Sequence, residues 1–351
     1  MPPTAATLPV PQESAATHAI AEEARRGLTS IPKNLAPWLF YDEAGSRLFE
    51  KITALPEYYL TRIERDIFSA HAADIFAMLG CGPSPAVSAR TVPISARPLS
   101  IVELGAGTAS KTGILLRALT RVQTSVVYQP IDISPTALDE AREQIERSIP
   151  GVTVRPHTAN YINQAIPIDR KPRTRVLALY IGSSIGNFSP GEARGILSRL
   201  RAQLHPGDAL LLGTDLAPGR SKSVATLLAA YNDTTGVTAA FNRNILARLN
   251  RELGANFRPE CFVHRALWNP AHSRIEMHLE SLAPQTVEIP ANSAGGELNL
   301  RFRLAESIHT ENSYKFNSNS IASLLSASAF APMRTFTDPQ NLFAVTLAEA
   351  I

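Results

Sequence analysis

The sequence predicts an α/β protein built around a mostly parallel, doubly wound sheet. The first observation is a strand–turn–helix unit, in which the apolar pair Ile101-Val102 leads into Gly105 and Gly107 and then into an amphipathic stretch. The second is the alternation of apolar strand patterns with helical patterns through the middle of the chain. The third is a terminal hairpin pattern over 333–338 and 342–347, which suits a sheet whose last strand runs antiparallel.

The individual elements follow from hydrophobic periodicity and from the positions of Pro and Gly. Strands are expected near 100–103, 126–132, 152–157, 176–181 and 209–215. The clearest helices between them are expected over 135–148 and 190–203, and helices should also cover 15–28 and 63–79. After Asp215 the pattern changes to a helical block over 221–253, broken near 233–236, and then to a strand–turn–strand pattern over 260–282.

Composition limits the function classes. The chain has 351 residues, a net charge of +3, 44% hydrophobic and 19% charged residues, which is typical of a globular protein. Because the Lys and Arg residues are scattered, nucleic-acid binding is disfavoured. The sequence has neither a signal-peptide pattern nor an apolar run long enough for a membrane span, so we expect a cytoplasmic protein. Cys81 and Cys261 share no metal-ligand spacing, and we expect no metal.

The glycine turn predicts a nucleotide-like ligand. Glu103 stands two positions before Gly105, and Asp132 ends the next expected strand, where a carboxylate could hold ribose hydroxyls. This is the pattern of a class I (Rossmann-like) methyltransferase that binds S-adenosylmethionine. The dinucleotide fingerprint Gly-x-Gly-x-x-Gly is incomplete because Ser110 occupies the last position, so the sequence favours S-adenosylmethionine over NAD. A glycine turn without a ligand is the remaining alternative.

Other stretches carry candidate binding groups. Asn187 follows the fourth expected strand of the α/β domain, at the sheet edge where ligands of such folds bind; a cap of the next helix is the alternative. Tyr231 lies at a break between helices and could reach a pocket or simply belong to a capped loop. Met277 is more typical of core packing. Glu311 and Ser313 lie two apart on an expected strand, so they should share a face and could hold an imidazole ring, unless the strand is a surface strand.

Six separated motifs, taken together in this order, resemble one family. They are Tyr-Asp-Glu-Ala-Gly-Ser-Arg-Leu-Phe from Tyr41, Leu-Pro-Glu-Tyr-Tyr from Leu55, Glu-Leu-Gly-Ala-Gly-Thr from Glu103, Gly-Ser-Ser-Ile-Gly-Asn from Gly182, Gly-Val-Thr-Ala-Ala-Phe-Asn-Arg-Asn from Gly236 and Thr-Glu-Asn-Ser-Tyr-Lys from Thr310. The family comprises the S-adenosylmethionine-dependent methyltransferases that methylate the α-amine of L-histidine in ergothioneine biosynthesis. The resemblance runs from about Tyr41 to the C-terminus.

The resemblance implies a role for each matching residue. The S-adenosylmethionine site would contain Tyr41, Glu103, Gly105, Gly107, Lys111, Asp132, Asn160 and Tyr161. The substrate site would contain Tyr41, Phe49, Tyr58, Gly182, Asn187, Tyr231, Met277, Glu311 and Ser313. Tyr58 and Asn187 would act in catalysis by orienting the amine, Tyr231 would help to hold the amine and carboxylate, and Glu311 and Ser313 would hold the imidazole. At Asn160 the chain departs from the family, which often has an acidic residue there.

The implied activity is trimethylation of the α-amino group of L-histidine to the betaine hercynine, with S-adenosylhomocysteine as the second product. The family also includes enzymes that methylate tryptophan or a prenylated tryptophan, which is the first alternative. A buried Glu311 would be poorly satisfied by an indole, so Glu311, Ser313 and Met277 together favour histidine. Further alternatives are a non-catalytic amino-acid sensor or scaffold on the same fold, and a nicotinamide oxidoreductase.

The expected domain organisation follows from the same elements. A disordered lead over 1–17 precedes N-terminal helices over 18–80, which would form part of a substrate-binding domain or lid. The methyltransferase domain would comprise 81–215 and 316–351, and an inserted substrate-binding domain would comprise 216–315. We expect a monomer whose partner is a small-molecule amino-acid substrate, and we expect binding to neither nucleic acid nor a membrane.

Overall fold

The computed structural model describes residues 15–81, 97–107, 109–162 and 164–351. In this part of the chain the α-helices are α1 (Ala15–Thr29), α2 (Glu43–Ala54), α3 (Tyr59–Met78), α4 (Thr112–Thr120), α5 (Pro135–Ser148), α6 (Pro190–Gln203), α7 (Val224–Tyr231), α8 (Val237–Leu253) and α9 (Ser318–Ser326). The strands are β1 (Lys33–Asn34), β2 (Leu99–Leu104), β3 (Val126–Asp132), β4 (Val152–Val154), β5 (His157–Thr158), β6 (Arg175–Tyr180), β7 (Ala209–Asp215), β8 (Phe262–Asn269), β9 (Arg274–Ser281), β10 (Gln285–Ile289), β11 (Leu298–Phe302), β12 (Ser307–Tyr314), β13 (Phe330–Thr337) and β14 (Phe343–Ala350).

The chain forms two compact units. The first comprises the described residues up to Glu50, Thr235–Ala266 and Met277–Glu311. The second comprises the described residues of Lys51–Thr234, Leu267–Glu276 and Asn312–Ile351. The division passes through α2, β8, β9 and β12, so each of these elements contributes one end to each unit.

The second unit contains an eight-stranded sheet in the order β13-β14-β7-β6-β2-β3-β4, with β5 beside β3. Strands β2, β3, β4, β6 and β7 are parallel, whereas β14 runs antiparallel to β7, with Phe343 opposite Asp215. The buried faces of β6 and β7 are almost continuously apolar, as expected for parallel strands covered by helices on both sides. This arrangement confirms the doubly wound class I methyltransferase fold.

Helix caps fix where the crossover helices of this unit begin. The Ser134 hydroxyl accepts a hydrogen bond from the backbone N–H of Ala137 at 3.3 Å, and Pro135 occupies the first turn of α5. Ser189 and Glu192 form a reciprocal capping box at the start of α6. These local signals explain why both helices begin where the sequence predicts.

The first unit is an α+β arrangement. Strand β1 pairs in parallel with β12, where Lys33 lies opposite Ile308, and β10 and β11 form an antiparallel hairpin. Helices α1 and α8 pack together in this unit. Its aromatic core includes Phe40 stacked on Phe241 with the ring centroids 4.6 Å apart. None of the helices in the described part of the chain has both the length and the apolar composition of a membrane span.

Most predicted elements are confirmed, and two boundaries need correction. The expected strand over 152–157 is two short strands, because Pro156 lacks the N–H that would continue the ladder. Residues 15–17 of the predicted disordered lead (1–17) belong to α1, which begins at Ala15; residues 1–14 lie outside the described residues. The segment 82–98 is rich in Pro, Ser and Ala, which predicts an exposed connector, and it also lies largely outside the described residues.

The two compact units divide the chain differently from the predicted domains. Helix α3, predicted to belong to the substrate-binding part, packs against α4 and β14 and therefore lies in the second unit. Tyr231 and Ser313, predicted to lie in the insertion, also belong to the second unit. The functional division into a methyltransferase domain and a substrate-binding domain stays a prediction.

Candidate active site

The glycine turn is tied to the end of the neighbouring strand. The backbone N–H of Gly105 donates to the carbonyl of Ile131 at 2.8 Å. The N–H of Gly107 donates to Oδ2 of Asp132 at 3.0 Å, and the N–H of Ser134 donates to Oδ1 of the same carboxylate at 3.0 Å. Asp132 therefore stands at the carboxyl end of β3 with its orientation fixed by two backbone donors.

The space beside the turn fits a ligand that approaches the backbone. Gly105 and Gly107 have φ values of +66° and +51°, which disfavour residues with a side chain. A Cβ added at Gly107 would meet nothing within 4 Å, whereas one at Gly105 would lie 3.1 Å from the Tyr161 hydroxyl. An open cradle next to a fixed carboxylate fits the nucleoside of S-adenosylmethionine.

The loop that contains Asn160 and Tyr161 is ordered by its own polar groups. The Asn160 side-chain oxygen accepts from the N–H of Ile162 at 3.1 Å, and the Asn160 N–H donates to the Gln164 side chain at 2.8 Å. The Tyr161 ring packs edge-on against Tyr180 with centroids 5.7 Å apart, and burial raises the pKa of Tyr161 to about 12. Asn160 therefore stabilises the conformation of this loop, and its contact with the adenine stays a prediction.

Glu103 lies in the interior of the unit. Its carboxylate accepts hydrogen bonds from the Thr112 hydroxyl at 2.6 Å and from the Tyr128 hydroxyl at 2.5 Å, and it is almost completely buried. Burial raises the pKa of Glu103 to about 7, although the two hydroxyl donors and Lys111 oppose the increase. Through these two hydrogen bonds Glu103 joins β2, β3 and the start of α4, and its contact with the cofactor stays a prediction.

Glu103 should make stability depend on pH. Because its pKa is higher in the folded protein than in the unfolded chain, its favourable contribution is present below about pH 4.5 and is lost as the pH rises through about 7. Between pH 5 and pH 8 the wild type should therefore lose about 2 kcal/mol of unfolding free energy relative to Glu103→Gln. Urea unfolding of both proteins at the two pH values measures this change, and a constant difference between them would contradict it.

Glu64, which was not predicted from the sequence, is buried and contacts two of the predicted site residues, Lys111 and Gly182. Its carboxylate forms an ion pair with Lys111 and accepts the backbone N–H of Gly182 at 2.8 Å. Gly182 has a φ of +78°, and a Cβ there would lie 2.9 Å from the Lys111 ammonium. Glu64 thus joins α3, the start of α4 and the loop after β6. The sequence feature that could have indicated Glu64 is its position as an acidic residue on the apolar face of α3 that contains Leu60 and Ile67.

A buried polar cluster connects the ends of α7, β7 and β12. The Tyr231 hydroxyl lies 2.7 Å from Oγ of Ser313, and both accept hydrogen bonds from the ammonium of Lys315 at 2.9 Å. Lys315 also forms an ion pair with Asp215 at 2.7 Å. The Tyr58 ring packs edge-on against Tyr231 with centroids 6.3 Å apart. The structure therefore brings together Tyr58, Tyr231 and Ser313, and it adds Lys315 and Asp215, which were not predicted.

Asp215 has further partners around this cluster. It forms an ion pair with Lys222 and accepts hydrogen bonds from the Tyr59 hydroxyl at 2.9 and 3.0 Å. The Asp215 N–H donates to Oγ of Ser183 at 2.9 Å. Burial lowers the pKa of Lys222 to about 8, and the Asp215 carboxylate opposes this decrease. Asp215 therefore holds two buried cations and a phenol in place.

The remaining predicted residues lie as follows. Asn187 is half-buried at the end of a 3-10 turn, Ser184–Asn187, that follows β6 in the second unit. In the first unit, the Tyr41 and Phe49 rings lie 5.8 Å apart in an edge contact. Met277 and Glu311 are buried on β9 and β12 of that unit.

Comparison with known proteins identifies the family. The sequence profile described as "Histidine-specific methyltransferase, SAM-dependent" matches residues 20–350. A histidine N-alpha-methyltransferase of Mycolicibacterium smegmatis is 37% identical over 333 residues, which cover 95% of this chain and 95% of the relative. The histidine N-alpha-methyltransferase of Mycobacterium tuberculosis is 37% identical over 336 residues, 96% of each chain. A 4-dimethylallyltryptophan N-methyltransferase of Claviceps purpurea is 27% identical over 282 residues, 76% of each chain. The chain belongs to the family of S-adenosylmethionine-dependent, histidine-specific methyltransferases.

Proposed function

We propose that the protein transfers methyl groups from S-adenosylmethionine to the α-amino nitrogen of L-histidine until the nitrogen carries three, which gives hercynine for ergothioneine biosynthesis. The observation that carries this proposal is the family match over residues 20–350, supported by full-length relatives named histidine N-alpha-methyltransferase. The proposal includes a monomeric, cytoplasmic enzyme that acts on a free amino acid rather than on nucleic acid.

The cofactor would lie along the glycine turn, where the Asp132 carboxylate would accept the ribose hydroxyls. Lys111 and Tyr161 would line the same site, which is supported by the Tyr161 hydroxyl lying next to Gly105. When bound, S-adenosylmethionine supplies a methyl group that its sulfonium has already activated. The chain's main task is then to place the amine in line and to exclude competing water. The other members of the proposed cofactor site are Tyr41, Glu103, Gly105, Gly107 and Asn160.

The substrate amine must be neutral when it reacts. An α-amino group has a pKa near 8, so part of the bound amine must lose a proton at neutral pH. We propose that Tyr58 and Asn187 orient the amine by accepting hydrogen bonds from its N–H groups while its protons leave to water, and that Tyr231 shares the contacts to the amine and the carboxylate. As the nitrogen loses N–H donors with each transfer, contacts to the carboxylate and to the ring must keep the intermediate in place.

The acceptor's side chain would be recognised by Glu311 and Ser313. An imidazole offers a ring N–H to the carboxylate of Glu311 and a second nitrogen to a hydroxyl, whereas an indole has only one N–H. Phe49 and Met277 would form the apolar wall of this pocket, with Gly182 on the side of the amine. The similarity to a 4-dimethylallyltryptophan N-methyltransferase makes a tryptophan-type acceptor the second candidate.

A substrate panel tests the acceptor. The purified protein is incubated with S-adenosylmethionine and one acceptor at a time: L-histidine, Nα-methylhistidine, Nα,Nα-dimethylhistidine, tryptophan or dimethylallyltryptophan. The masses of the products are measured by mass spectrometry. We expect all three histidine compounds to reach the same trimethylated mass. Preferential methylation of a tryptophan compound would overturn the choice of acceptor, and cofactor binding without turnover on any of them would indicate a sensor or scaffold.

A further inference from the structure

Glu64 and Lys111 form an ion pair beside the end of β6. The Glu64 side chain is inaccessible to solvent, whereas that of Lys111 is 19% exposed. The same carboxylate accepts the backbone N–H of Gly182, the second residue after β6, at 2.8 and 3.0 Å. Because ligands of open α/β sheets bind outside the carboxyl ends of the strands, this pair lies at the edge where a cofactor is expected.

Two glycines leave room for the ion pair. A Cβ added at Gly182 would lie 2.9 Å from the Lys111 ammonium, and one added at Gly213 in β7 would overlap the Glu64 carboxylate. A glycine inside a strand often marks the close approach of another group. Since apolar residues of similar size usually stabilise a fold as well as a buried ion pair does, holding α3 against α4 does not by itself account for these charges.

The Lys111 ammonium keeps donors for a ligand. It has three protons, and within the described residues Glu64 is the only hydrogen-bond acceptor that it contacts. The pair also acts on a charge near the glycine turn: burial raises the pKa of Glu103, Lys111 opposes this increase and Glu64 adds to it. A charged group in the proposed cofactor site would therefore interact with Lys111 and Glu64 together, not with Lys111 alone.

We propose that Glu64 is a positioning residue that holds the Lys111 ammonium beside Gly182 and offsets its charge, which preserves the affinity for S-adenosylmethionine relative to S-adenosylhomocysteine. This inference rests on the proposed function, because it takes Lys111 as part of the cofactor site. The two compounds differ only in one methyl group and in the positive charge of the sulfonium. A lysine without its carboxylate would repel the sulfonium and so favour the spent cofactor, which must be exchanged after each of the three transfers.

The test compares the Kd of S-adenosylmethionine with that of S-adenosylhomocysteine. Both are measured by titration calorimetry in saturating hercynine, which has no N–H left to methylate, for the wild type, Glu64→Gln, Lys111→Met and the double variant. Glu64→Gln keeps an acceptor for the N–H of Gly182 and leaves Lys111 partly accessible to water, so the fold should be retained.

Asp208→Asn is the matched control. Asp208 is another buried carboxylate that forms an ion pair, with Arg170, and accepts a backbone N–H, from Val176 at 2.8 Å. Val176 is the second residue of β6 and lies at the opposite end of that strand from Gly182. We therefore expect Asp208→Asn to keep the wild-type ratio of the two Kd values.

We expect Glu64→Gln to raise the ratio of the S-adenosylmethionine Kd to the S-adenosylhomocysteine Kd about 3–10-fold. Lys111→Met should lower this ratio, and the double variant, which removes both charges, should return it to within about twofold of the wild type. The step from Lys111→Met to the double variant thus tests Glu64 a second time. Loss of packing would not produce opposite shifts, because the two ligands have nearly the same shape.

An unchanged ratio in Glu64→Gln, or shifts of both single variants in the same direction, overturns the inference alone. A wild type that neither binds the two cofactor forms nor methylates histidine overturns the proposed function and this inference with it.

Discussion

Replacing Glu311 with alanine is expected to lower kcat/KM for histidine by about 10²–10³-fold, while the Kd for S-adenosylhomocysteine changes less than about twofold. Glu311 is buried on β12, and a buried carboxylate that accepts an imidazole N–H makes a charge-assisted hydrogen bond. Without the carboxylate, the ring N–H of bound histidine would lose its acceptor, which costs much of the recognition of the side chain. Steady-state kinetics and calorimetry measure the two quantities separately.

Glu311→Gln is the matched control, because it keeps the size and one acceptor oxygen but removes the charge. Its kcat/KM for histidine should fall less than that of Glu311→Ala. The preference for histidine over tryptophan should narrow in the alanine variant, since the poorly satisfied carboxylate facing an indole has been removed. Equal losses of histidine use and cofactor affinity would show that Glu311 does not hold the ring.

Asp215→Ala is expected to be among the most destabilising single substitutions in the second unit, with a loss of about 3–5 kcal/mol of unfolding free energy. The change leaves the ammonium groups of Lys222 and Lys315 without their carboxylate partner and removes the acceptor of the Tyr59 hydroxyl. Burial already lowers the pKa of Lys222, and Asp215 is the main group that opposes it. Urea unfolding followed by circular dichroism measures the loss.

Asp169→Ala provides the matched control for Asp215→Ala. Asp169 is 52% exposed and lies 3.7 Å from Arg155, so its removal should cost at most about 1 kcal/mol. Similar unfolding curves for the two variants would contradict the importance assigned to the buried ion pairs.

The elements around the glycine turn could be predicted because their signals are local. Strand β3 ends at Asp132 as predicted, and the glycine turn follows β2 at the expected place, since apolar runs and glycines encode both features within a few residues. Helices α5 and α6 match their predicted ranges for the same reason, with a Pro and a Ser cap at each start. Local pattern was sufficient for the doubly wound sheet.

The polar interior could not be predicted in the same way. The ion pairs of Glu64 with Lys111 and of Asp215 with Lys315 join residues far apart in the chain, so no spacing rule connects them. Glu103 is a further example: its position before the glycine turn predicts a ligand contact, which stays a prediction, but its hydrogen bonds from Thr112 and Tyr128 could not be predicted from that position. Such pairings depend on tertiary packing, and only an isolated charge in an apolar pattern hints at them.

The position and number of the transferred methyl groups test the central proposal most directly. The protein is incubated with histidine and S-adenosylmethionine labelled with ¹³C in the methyl group, and the product is examined by NMR. We expect one methyl resonance that integrates to three equivalent groups and correlates with the α-carbon proton of histidine. Label on a ring nitrogen, or a product that retains an N–H at the α position after prolonged reaction, would contradict the account.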